Sequence, residues 1–197
     1  MRSVISAALM LALAAPGLAA AQGAPTSPPL GGALVPGVCL LSIPAVDVNS
    51  KIGQAATARL QELQRAAQSE VNNETSAIQS EDKALQAQKA TLKPADFEAK
   101  ARALRGRLAA LEQKANLRSR QWEATRQKAV GRIHAETEQV IAPVYKAHNC
   151  GLLIDRNSVL GGNMGNDLTK GVVDALDARI TTISFDLEPP PPPPPAR

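Results

Sequence analysis

The chain has 197 residues, 44% of them hydrophobic but only 2% aromatic, and carries a formal net charge of +4. Two Phe, one Tyr and one Trp among abundant Ala, Gln, Lys, Arg and Glu do not make an ordinary globular interior and favour long solvated helices. The net charge is modest and becomes informative only when mapped along the chain.

Met1 and Arg2 precede an apolar run from Val4 to Ala15, and Ala19-Ala20-Ala21 lead to Gln22. This is the three-part layout of a secretory signal peptide, predicted over residues 1–21, and it predicts export. Spanning a bilayer takes about 20 apolar residues, and Pro16 and Gly17 break this run. No cysteine lies close enough behind the small residues for a lipoprotein, and no later stretch is apolar enough to span. Residues 22–36, rich in Gly, Pro, Ala, Ser and Thr, have no apolar period and read as a flexible leader.

Val38 to Ile43, stopped by Pro44, reads as a short buried strand. Ser50 is a helix cap, and strong helix formers follow from Lys51 to about Leu92, with Val71, Ile78, Leu85 and Leu92 recurring every seven residues. Glu74, Glu81 and Gln88 occupy the places of a second apolar row, so the seam is thin. Lys93-Pro94-Ala95-Asp96 breaks the pattern and restarts it as a hairpin tip. On the return segment Phe97, Ala101, Leu104, Leu108, Leu111 and Ala115 make the facing row, and Trp122 continues it as a packing residue rather than a ligand site. That helix runs through Val130, Ile133, Val140, Ile141 and Val144 to Asn149. Pro143 predicts a kink near its base, and Gly106 and Gly131 each weaken it by about 1 kcal/mol relative to Ala. Gly106, Gly131 and Pro143 are therefore the candidate hinges of a hairpin arm over 50–148.

Cys150 to Asp155 reads as a second strand, Ser158-Val159-Leu160 as a possible third, and Asp167 as the cap of a helix carrying Leu168, Val172, Leu176 and Ile180 four apart. Thr181 to Leu187 alternates Ile183, Phe185 and Leu187 and could be a last strand. Residues 188–197, with seven consecutive prolines, read as a solvated tail. The fold class is then α+β, mostly α: a long antiparallel hairpin projecting from a small β-rich oligomerisation body made of residues 37–49 and 149–187. A body of about 60 residues is marginal alone, so it calls for a partner subunit or a staple. Cys39 and Cys150 hold matching strand positions, either as a disulfide or as two buried thiols, and closing that loop would contribute roughly 4 to 5 kcal/mol.

Charge is uneven. Lys51 to Leu92 carries five basic and five acidic residues, whereas Lys93 to Arg132 carries eleven basic against four acidic. Lys100, Arg102, Arg105 and Arg107, followed by Arg118, Arg120, Arg126 and Arg132, form the candidate binding residues; a plain solvated helix surface is the other reading of the same run. Such a face attracts anionic lipid or acidic polypeptide. Nucleic acid is excluded by export and by the lack of interleaved aromatics. No metal site is predicted, because His134 and His148 have no third ligand at zinc spacing. Neither a phosphate loop around Gly161-Gly162-Asn163-Met164-Gly165 nor a Ser, His and Asp set is present, so neither enzyme chemistry nor a cofactor is expected.

Val38 to Leu63, with Ser50-Lys51-Ile52-Gly53 leading into the helix, and Gly151 to Leu176, with Asp167-Leu168-Thr169 opening the last helix, resemble the Skp/OmpH family of periplasmic chaperones. That resemblance implies a homotrimer in the periplasm whose helical arms surround a cavity, holding unfolded outer-membrane proteins without ATP, with lipopolysaccharide as an associated ligand. The two cysteines, the extension after Asp177 and the proline run depart from the better-known members. Other readings of the same architecture are an adaptor-type protein, which would need more strands on either side of the hairpin, and a structural envelope spacer without chaperone activity.

Overall fold

The computed structural model describes residues 30–189; the predicted signal peptide, most of the predicted leader and the end of the proline tail lie outside the described residues. A strand β1 (Val38–Leu41) is followed by a short helix α1 (Ile43–Asn49), the helices α2 (Lys51–Ala87) and α3 (Pro94–Ala147), a strand β2 (Leu152–Asp155) and a helix α4 (Thr169–Arg179). Strands β1 and β2 pair in parallel, with Val38 opposite Leu152 and Leu41 opposite Asp155. Parallel strands need a crossover, and here the crossover is the whole hairpin.

Each turn of the chain has a local cause. The Ser42 hydroxyl accepts from the Ala45 amide, so Pro44 lies in the first turn of α1, where its missing N–H costs nothing. Pro44 therefore starts a helix rather than ending a strand, which corrects the expectation of a strand reaching Ile43. Ser50 caps α2 by accepting from the Gly53 amide at 3.2 Å. At the far end of α3, Asn149 takes φ +53°, the Cys150 amide donates to Tyr145 and the Asn149 amide to Lys146. That left-handed stop turns the chain straight into β2.

The core lies at the base, where fully buried Val46, Ile52, Leu168, Val172 and Leu176 meet Ala129, Ile133 and Val140 of α3. The ladder is extended by Leu168, whose amide donates to Leu40 at 2.8 Å, while the Leu40 amide donates to Asn166. Cys39 and Cys150 are joined as a disulfide with Cα atoms 5.8 Å apart. The body thus has fewer strands than expected. Arg156–Ser158 is a single 3₁₀ turn and Leu160 is fully exposed, with no strand paired there among the described residues. Residues 181–187 are extended but join no sheet; their alternating side chains face the base of the arm instead. Pro143 is exposed, and α3 continues past it to Ala147.

Gly53 is required by α1. A Cβ there would stand 1.6 Å from the Asp47 carbonyl oxygen, a backbone atom that cannot move aside cheaply. Gly53→Ala should therefore lower stability by about 3 kcal/mol or more, measured by urea unfolding, as overpacking against rigid backbone does. Reducing the Cys39–Cys150 bridge should cost about 4 to 5 kcal/mol in the same experiment.

Candidate client-binding arm

Helix α2 has 37 residues and α3 has 54, giving an arm roughly 55 Å long at ~1.5 Å per residue. Its seam changes character along its length. Near the base Ala56, Ala129 and Ile133 belong to the body core, and Thr125 and Thr137 are buried with their hydroxyls donating to Gln121 and Ile133 carbonyls. Farther out, Ile78, Leu85 and Leu111 are the buried side chains among the described residues, and Leu108 is 55% exposed. Trp122 packs half-buried in the seam and donates from its indole to the Leu60 carbonyl at 3.2 Å.

Ion pairs take over where apolar contact thins. Arg118 Nε and Nη2 reach the Glu70 carboxylate at 3.0 and 3.3 Å, Lys114 Nζ lies 2.9 Å from both Glu70 and Glu74, and Arg107 pairs with Glu81. The glutamates that interrupt the apolar row of α2 are thus the acceptors for the cations of α3. Hydrogen bonds from Arg118 and then Lys114 hold the Glu70 carboxyl below its ordinary range.

The eight candidate cations do not converge on one site. Arg107 and Arg118 brace the hairpin, Arg126 pairs with Glu123 on its own helix, and Arg132 donates to the Ser184 carbonyl. Lys100, Arg102, Arg105 and Arg120 form no ion pair among the described residues. Two open grooves flank the outer arm. One of about 360 Å³ is lined by Leu85, Lys100, Leu104 and Arg107, and another of about 600 Å³ by Ile78, Phe97, Leu104, Arg105 and Leu108. Such troughs offer an extended chain an apolar floor and a rim of mixed charge, Lys100 and Arg107 with Glu81 in one and Lys89 and Arg105 with Asp82 and Glu98 in the other. Around Gly106 and Gly131 a Cβ would meet nothing within 4 Å, so no neighbour demands either glycine.

The described residues hold no group of three or more candidate metal ligands, and no helix there is long and apolar enough to cross a membrane. His134 instead pairs with Asp47 at 2.9 Å, tying α3 to α1.

An arm of this form on a two-stranded base is the architecture of the OmpH-like outer membrane proteins, and that family matches residues 38–176 of the sequence. The chain belongs to the OmpH-like family. It is 39% identical to an OmpH-like protein of Caulobacter crescentus described as an outer membrane chaperone, with a TM-score of 0.77. The likeness covers 80% of this chain and 93% of that one. No curated protein matches the sequence.

Because Glu70 titrates lower in the folded chain than unfolded, its pairs stabilise above its unfolded pKa and are lost as pH falls through the depressed folded value. The difference in Tm between the native chain and Glu70→Gln should therefore be present at pH 7 and close as pH drops below about 4, followed by circular dichroism.

Proposed function

We propose that the chain is an ATP-independent, non-enzymatic holding chaperone of the periplasm that keeps unfolded outer-membrane proteins from aggregating between helical arms. The observation that carries this reading is the outer arm, which is long, thinly seamed and flanked by apolar grooves beside Lys100 and Arg105. A rod built only as a spacer gains nothing from leaving Leu108 and those grooves uncovered. Weak, repeated contacts along the troughs hold a disordered chain while leaving it mobile, since each one adds little affinity alone. Bending at Gly106, Gly131 and Pro143 adapts the cavity to the client.

A homotrimer is supported by the body. Leu152 and Leu160 are exposed there, at 53% and 104%, and so is Val35 at the end of the leader, at 60%. A small body presenting so much apolar surface is completed by further copies of itself. The same basic flank would serve lipopolysaccharide or an anionic membrane surface.

Light scattering of a denatured outer-membrane barrel diluted with and without the chain tests the activity, and suppression near one trimer per client is expected. Replacing Lys100, Arg102, Arg105 and Arg120 with Glu should raise the concentration needed for half-suppression several-fold at low salt, with a smaller effect at high salt. Unchanged suppression would remove the charge component. Sedimentation should report a trimer for the native chain and a lighter species for Leu160→Asp.

A further inference from the structure

Beyond α4 the chain turns back along the arm. Arg179 reaches Glu136 and Gln139 of α3, the Ser184 carbonyl accepts from Arg132 at 3.4 Å, and the Glu188 amide donates to the Thr125 hydroxyl at 2.9 Å. The segment therefore runs from the body toward the tip, spanning Gly131. It lies outside the part of the chain that matches the family, whereas the residues it touches lie inside it.

We propose that the trough at the base of the arm, built by Arg59 of α2 and Thr125, Lys128 and Arg132 of α3, is a binding site for extended polypeptide with alternating apolar side chains. The chain's own residues 183–188 occupy it as a tethered stand-in.

The mode of contact supports this. Two carbonyls and one amide of the strap are held by side chains: Arg59 Nε donates to the Phe185 carbonyl at 3.1 Å, Arg132 to Ser184, and Thr125 accepts from Glu188. Main-chain groups are common to every peptide, so this recognition does not depend on sequence. Alternation supplies the rest. Ile183, 6% exposed, anchors the strap in the core of the body, Phe185 packs half-buried against that core, Leu187 is half-buried, and Ser184 and Asp186 point outward. Asp186 then pairs with Arg59 at 2.7 Å and Glu188 with Lys128 at 2.7 Å, so an acidic rim residue is preferred. Glu62 shares Arg59 with the strap at 2.8 Å and would keep that guanidinium in place when the strap leaves.

The site is built rather than incidental. Thr125 is 1% exposed, its hydroxyl already donates to Gln121 at 2.7 Å, and its remaining acceptor capacity is met by the strap. The strap does not fill the trough, since a hollow of about 140 Å³ persists between Phe185, Ser184 and the α3 residues Thr125, Ala129 and Arg132. A bulkier side chain than the strap provides would fit there. Alternating apolar and polar residues are the pattern of a barrel strand. Resting on the chaperone reading, the natural occupant is such a strand in its unfolded state, which displaces the strap.

A tethered occupant competes at an effective concentration of about millimolar, so a free peptide binds the native chain weakly. The test uses the full-length protein and a fluorescein-labelled synthetic peptide, Thr181 to Glu188, read by anisotropy. Loosening the strap with Phe185→Ala and Asp186→Ala should tighten peptide binding at least tenfold. Adding Arg59→Ala and Thr125→Val should abolish that gain. Asp186→Ala alone, at a side chain 90% exposed, should give a gain of roughly threefold and serves if the double variant folds poorly. No gain on loosening the strap, or a gain that survives Arg59→Ala and Thr125→Val, overturns the proposal. Barrel aggregation measured on the same samples separates the two ideas: suppression without peptide gain rejects the trough alone, and peptide gain without suppression rejects the chaperone reading alone.

Discussion

Everything outside the body depends on how the base of the hairpin is closed. The chain leaves β1, travels the length of the arm and back, and must return in register beside β1, with Cys39 opposite Leu153 and the Cys39–Cys150 bond just before it. Four-residue strands cannot hold such a long loop by themselves, because closing it costs conformational entropy that only a few hydrogen bonds offset. The disulfide, the Leu40–Leu168 ladder, the Ser42 amide donating to Thr169, and the Gly53 contact with α1 supply the difference together. Each joins separate elements at one small locus.

Once the base is fixed, the arm is free to be weak. The pairing of Glu70 with Arg118 and Glu81 with Arg107 keeps a constant register along the hairpin, and extended to the base it leaves the last turns of α3 running past the start of α2 into the body. Stability therefore grades outward: apolar core first, then a strapped stretch around Thr125 to Arg132, then ion pairs and a sparse seam. Exposed ion pairs contribute little each, and they leave the outer arm pliable. The proposed holding function would have a use for that gradient, since tight apolar packing in the arm would bury the grooves beside Leu104 and Leu108.

The hairpin was legible because its signals are local. Ser50, the sevenfold spacing of Ile78 and Leu85, and Pro94 act on their own neighbours, and the structure follows them. Misreadings arose where one local signal serves two structures. Pro44 ends a strand or begins a helix, and the Ser42 hydroxyl decides for the helix. The alternation of Ile183, Phe185 and Leu187 is what a strand needs, but it also suits an extended segment lying on a helical trough, and only the positions of Arg59 and Thr125 distinguish them. The basic run of α3 looked like one face because its partners, Glu70, Glu74 and Glu81, sit on the other helix. Pairing those glutamates with Lys114 and Arg107 across the hairpin was within reach of the sequence once its register was drawn. Of the groove residues, Lys128 lies in the basic run of the return helix, whereas Arg59 and Thr125 carry no sequence signal of their own.

Residue-resolved amide hydrogen exchange tests this graded arm most directly. Protection should be highest at Val46, Ala56 and Ile133 and at Val172 and Leu176 of α4, and should fall steadily from Thr125 toward Gln88 and Phe97 at the tip. Protection that stays uniform to the tip, or that is lower at the base than in the outer arm, would contradict a hairpin held from its base.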